Sequence, residues 1–176
     1  MDYGMIGKIE KAKQYASEPE RVTFNSLTVE FRGDNDTYTI TLGPDGWDST
    51  SPSFRRYGIC PHVMTLERLF KPMLKRQPLP YASGQNVVSD VEKATRYAQE
   101  PDRIRFVSYD ATFAGTNGTH HVSFGPEGWF CDTDFFRSRG VDSHTMAMEH
   151  LLKGMLPPTP APAAAANADT HTSESE

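Results

Sequence analysis

The sequence predicts an α+β protein built of two tandem modules, each a helix, antiparallel strands and a second helix, followed by a disordered C-terminal tail. Three observations carry this expectation. Residues 9–74 align without a gap on residues 91–156 at a constant offset of 82, and 28 of the 66 aligned pairs are identical. Such self-similarity points to an internal duplication. Within each copy the apolar residues recur first at helical spacing, then in alternation, then at helical spacing again. A polar, proline-bearing stretch separates the copies and a Pro/Ala-rich stretch follows them. The expected division is therefore a first module over 1–76, a linker over 77–86, a second module over 87–156 and a tail over 157–176.

Met5, Ile9, Ala12 and Ala16 fall on one face of a helix, and Val87, Val91, Ala94 and Ala98 repeat the stripe. Glu18-Pro19 and Glu100-Pro101 end these helices, because the residue before a proline is pushed out of the helical region. Residues 21–31 are rich in β-formers, and a Gly-Asp-Asn-Asp turn leads into 37–42, where Tyr38, Ile40 and Leu42 alternate with threonines. The second copy repeats the pair through Ile104, Phe106, Phe113 and Val122. Gly43-Pro44-Asp45-Gly46 and Gly125-Pro126-Glu127-Gly128 are turns that deliver Trp47 and Trp129, read as core plugs, to a third short strand. Closing helices are expected over 60–74 and 142–156, with stripes of Val63, Leu66, Phe70, Met73 and of Met148, Leu151, Leu152, Met155.

Modules of this size sit near the lower limit for a self-supporting core, so each is expected to pack on the other. Apolar residues make up 37% of the chain and aromatics 11%, enough to supply such contacts. Two cysteines form no disulfide framework and suit a reducing compartment. With no run of about 18 apolar residues, the expectation is a cytoplasmic protein with no membrane partner. The formal charge of -5 gives no global attraction for nucleic acid.

Each copy resembles a SWIM zinc finger. The resemblance rests on a strand ending in Trp, a residue pair two positions later, then Phe54 or Phe136, then Gly58 or Gly140, then a second pair opening an amphipathic helix. In that family a C-x-C pair and a C-x-H pair bind one zinc. The corresponding positions are Ser49, Ser51, Cys60 and His62 in the first copy, and Cys131, Thr133, Asp142 and His144 in the second. The resemblance thus implies Cys60, His62, Cys131, Asp142 and His144 as metal-ligating candidates, with zinc as the cofactor and water in place of Thr133.

Other readings of the same residues stand beside this one. Hydroxyls are poor zinc ligands, which leaves Cys60 to pack and His62 to hydrogen-bond. Asp142 is a strong helix N-cap without any metal. Cys60, His62, Cys131 and His144 form a Cys2His2 set by count if both half-sites meet at an interface. His120 and His121, adjacent on an alternating strand, point to opposite faces. The resemblance also implies a non-enzymatic module that binds nucleic acid or protein. Arg55 and Arg137, at matching positions beside the ligand loops, are the candidate nucleic-acid contacts. A protein-protein assembly scaffold with neither metal nor nucleic acid is the alternative.

Overall fold

The structure, a computed structural model, describes residues 3–158. Among the described residues it is an α+β fold of one six-stranded antiparallel sheet and seven α-helices. The first segment runs α1 (Tyr3–Ala16), β1 (Val22–Arg32), β2 (Thr37–Gly43), β3 (Gly46–Ser49), α2 (Pro52–Tyr57), α3 (Pro61–Leu69) and α4 (Lys71–Leu74). The second runs α5 (Val87–Tyr97), β4 (Ile104–Ala114), β5 (Thr119–Gly125), β6 (Gly128–Cys131), α6 (Asp134–Arg139) and α7 (Ser143–Leu151). Strand for strand, and for α2 with α6 and α3 with α7, the bounds in the two segments differ by the same 82 positions found in the sequence, while α4 has no counterpart. The expected tail lies, from residue 159 onward, outside the described residues.

The strands lie in the order β3-β2-β1-β4-β5-β6, so the two segments meet edge to edge at β1 and β4. That central ladder pairs Val22 with Phe113, Leu27 with Tyr109 and Phe31 with Ile104. Its register shifts between Phe24 and Ser26 and again between Thr28 and Val29. These shifts leave Asn25 on β1 and Val107 on β4 without a partner in the ladder, two positions that match at the repeat offset. Paired β-bulges raise the local twist and bend the sheet. Asn25 fills the gap by donating through Nδ2 to Asp110 at 2.9 Å and Thr112 at 3.0 Å.

Alternation decides which face of the sheet is dry. Val22, Phe24, Leu27, Val29 and Phe31 of β1 are buried, as are Ile104, Phe106, Tyr109, Ala111 and Phe113 of β4. Together with Ile40, Leu42 and Val122 they form one continuous core with residues of α1, α3, α4, α5 and α7. Helices of one segment pack on helices of the other: α1 lies against α7, and α3 against α5. Burying each large side chain of that core contributes about 1.5 to 3 kcal/mol, and both segments supply them.

Two helices and one break were not expected. The short α2 and α6 fill what reads as a loop between the two ligand pairs, each capped by a hydroxyl and ended by a glycine. Both closing helices stop short, α3 at Leu69 and α7 at Leu151, and the first restarts as α4, with Pro72 in the first turn of the new helix, where a missing N–H is tolerated. Trp47 and Trp129 are partly buried against the core, in keeping with their reading as plugs. No helix among the described residues is long and apolar enough to cross a membrane.

Candidate metal centre

In both segments the chain brings the four positions of interest together by the same local route. The third strand delivers the first residue, a Ser or Thr caps a six-residue helix, a glycine reverses the chain, and a second helix opens on the remaining pair. Thr133 caps α6 by accepting the N–H of Phe136 at 3.2 Å, and Ser51 caps α2 by accepting that of Phe54 at 3.3 Å. Gly140 and Gly58 end these helices at φ 73° and 76°, a left-handed conformation that glycine adopts without strain.

In the second segment Cys131, Asp142 and His144 are buried and converge. Cys131 Sγ lies 3.8 Å from His144 Nδ1, which lies 3.1 Å from Asp142 Oδ2. The Thr133 hydroxyl donates to that same carboxylate oxygen at 2.6 Å. The other carboxylate oxygen accepts the N–H of Thr145 at 2.9 Å, while the Thr145 hydroxyl accepts the N–H of Asp142 at 3.0 Å, closing a capping box. A carboxylate only accepts, so His144 carries its proton on Nδ1 in this arrangement. Burial opposes the charge on Asp142, yet the bonds from His144, Thr133, Cys131 and Thr145 outweigh it and hold its carboxyl far below the usual range. Burial first, and then the negative Asp142, push the Cys131 thiol up to about 12.

The first segment places Ser49, Ser51, Cys60 and His62 in the same way with different chemistry. Ser49 and Ser51 hydroxyls lie 3.2 Å apart, and burial raises the Cys60 thiol above its ordinary value. Cys60 occupies the N-cap position of α3 but makes no side-chain cap bond. Pro61 eases that loss, since a first-turn proline has no N–H to satisfy. His62 Nδ1 is buried with no hydrogen-bond partner, because a thiol stands where the second segment has Asp142. Burial, reinforced by the charge of Lys93, lowers His62 to about 4.

Each histidine is walled in by the opposite segment. Tyr15 of α1 stacks on His144, and Tyr97 of α5 stacks on His62. Phe113 and His120 also contact the His144 ring, as Phe31 and Tyr38 contact that of His62. Gly33 and Gly115 let the imidazoles lie on bare backbone: a Cβ on Gly33 would come within 2.7 Å of His62 Nε2, and one on Gly115 within 3.1 Å of His144 Nε2.

Among the described residues, one group has the donors and spacing to hold a metal ion: Cys131, Asp142 and His144. Cys60 and His62 have only serine hydroxyls beside them. The pooled Cys2His2 set does not form, since the two half-sites follow β3 and β6, the opposite edges of the sheet. Arg55 and Arg137 sit on α2 and α6, also toward opposite edges, and Arg137 pairs with Asp134 at 2.9 Å. His120 and His121 do part to opposite faces, His120 to Asp132 and His144, His121 to Asp110. Sequence reasoning missed Tyr15, Tyr97 and His120 as walls of the sites. Tyr15 and Tyr97 are identical at the repeat offset, which was the available signal. No family model matches the chain, and no curated protein or solved structure is significantly similar to it.

Proposed function

We propose that this protein is a non-enzymatic binding module of the SWIM zinc-finger type, an internal duplication in which the second segment keeps a zinc-competent donor set and the first has lost it. The observation that carries the reading is the convergence of Cys131 Sγ, Asp142 Oδ2 and His144 Nδ1, at 3.8 and 3.1 Å along the chain of contacts. Ligand atoms about 2.0 to 2.3 Å from a tetrahedral zinc stand about 3.3 to 3.6 Å from each other, and the three donors here all lie within 4.8 Å of one another. Zinc would take the Cys131 sulfur as thiolate, with release of the thiol proton, and His144 through Nδ1, with the ring proton moved to Nε2, and would leave its fourth position to water beside Thr133. Elemental analysis tests this. Zinc equimolar with the chain, retained by Cys60→Ser and lost from Cys131→Ser and His144→Ala, supports the reading; metal-free protein after purification in zinc without chelator overturns it.

The partner in this reading is nucleic acid, contacted by the arginines of α2 and α6. Duplex DNA affinity then falls steeply with salt and weakens in Arg55→Ala/Arg137→Ala. A protein-assembly scaffold is the second reading. It is favoured by the Arg137–Asp134 pair and by the charge of -5, both of which work against a phosphate backbone. Absence of DNA binding at low ionic strength, with nuclease-resistant capture of one protein at fixed stoichiometry, would select it.

A further inference from the structure

A cavity of about 330 Å³ opens between α3, α4, α5 and the stretch that joins the two segments. Its floor is Ile59, Met64 and Ala94, a small apolar cluster separate from the main core. Leu79 packs against this cluster as a roof, fixed by its N–H donating to Glu67 Oε2 at 2.8 Å. Arg68, Lys71 and Arg76 line the same cavity. Arg68 reaches only a neutral hydroxyl, that of Thr95 at 2.9 Å, and none of the three forms an ion pair among the described residues. Three cations against the single carboxylate of Glu67 leave the mouth positive above an apolar floor.

We propose that this cavity binds a small amphipathic carboxylate, its apolar body on Ile59, Met64 and Ala94 and its anionic head among Arg68, Lys71 and Arg76. The volume lies within the range of small-molecule sites, whose walls are mostly apolar with a few polar groups that fix orientation. The cationic rim has no counterpart at the repeat offset, where Arg68 becomes His150 and Arg76 becomes Pro158. The site is independent of metal at the other edge of the sheet.

The test is calorimetric titration of the full chain with octanoate, octanol and octylamine, three probes alike in body and different in head. Saturable octanoate binding, at least about tenfold tighter than octanol and with no saturable octylamine binding, is the expected result. Lys71→Ser/Arg76→Ser then weakens octanoate about tenfold and leaves octanol unchanged. Ala94→Leu, which intrudes on the floor, weakens both ligands; Tyr81→Ser, at an exposed position of the lining, checks the same loss without touching the core. Equal affinity for octanoate and octanol, tighter binding of octylamine, or no binding of any probe overturns the proposal.

Discussion

Tyr15 stacks on His144 across the two segments, ring centroids 5.6 Å apart and planes 22° from parallel. The same relation joins Tyr97 to His62 at 5.6 Å and 15°. Each tyrosine also closes a turn of the opposite segment: the Tyr15 hydroxyl accepts the N–H of Thr116 at 2.9 Å, and that of Tyr97 accepts the N–H of Asp34 at 3.2 Å. The opening helix of one segment therefore completes the histidine site of the other, and the exchange is reciprocal.

Tyr15→Phe is expected to keep the stack and lose the bond to Thr116, at a cost of about 1 kcal/mol. Tyr15→Ala loses both and opens a cavity against Phe113, costing about 3 to 5 kcal/mol. Urea unfolding checks the pair. Since natural stabilities are of order 5 to 15 kcal/mol, the alanine variant should lower the midpoint sharply. Equal small effects from both variants would mean that the ring contact contributes nothing.

Cys60→Asp is expected to stabilise the protein by about 1 kcal/mol or more. The second segment shows why. There Asp142 caps its helix and occupies the buried Nδ1 of His144, whereas Cys60 does neither and leaves His62 Nδ1 without a partner. An aspartate at this position has Ser51, His62 and a backbone N–H of α3 within its own turn as donors. Thermal unfolding above pH 6 reads the effect, and a lower midpoint than that of the parent would refute the equivalence of the two sites.

The strands were legible because they depend on local chemistry. Alternating apolar residues marked β1 and β2, the Gly-Pro-x-Gly turns marked the entry to β3, and Asp142 announced its cap. The exchange of helices was not legible. Ala12 and Tyr15 on α1 are equally apolar toward α3 or α7, and only the β1–β4 ladder, a long-range pairing, decides which helix they meet. The short α2 and α6 were hidden for another reason: six residues cannot show a helical period, and their evidence was confined to the capping Ser51 and Thr133.

Both thiols are expected to be inert in the native protein. Cys60 and Cys131 are fully buried, and burial raises both thiols above their ordinary value. A thiol held near 12 is almost entirely protonated at pH 8, and the thiolate is the reactive form. A disulfide reagent should therefore modify neither until denaturant unfolds the chain. Cobalt added to metal-free protein should give a sulfur-to-metal charge-transfer band that survives Cys60→Ser and disappears in Cys131→Ser. Rapid native labelling of Cys131 would contradict its burial, and a band that depends on Cys60 would move the metal to the other segment.

Acid should weaken the fold through His62. Its imidazole has a folded pKa of about 4 against an ordinary 6.5, so between these values the unfolded chain binds a proton that the folded chain refuses. Stability then rises with pH across the window, is fully present above pH 6.5 and is lost as pH falls toward 4. From pH 7.5 to pH 5 the loss attributable to this residue is about 2 kcal/mol. His62→Leu removes the titrating group while keeping an apolar body among Phe31, Tyr38 and Tyr97. Unfolding free energies of parent and variant at pH 7.5 and pH 5 isolate the effect: the parent should lose about 2 kcal/mol more than the variant. Parallel losses in the two proteins would show that the buried imidazole does not govern the acid response.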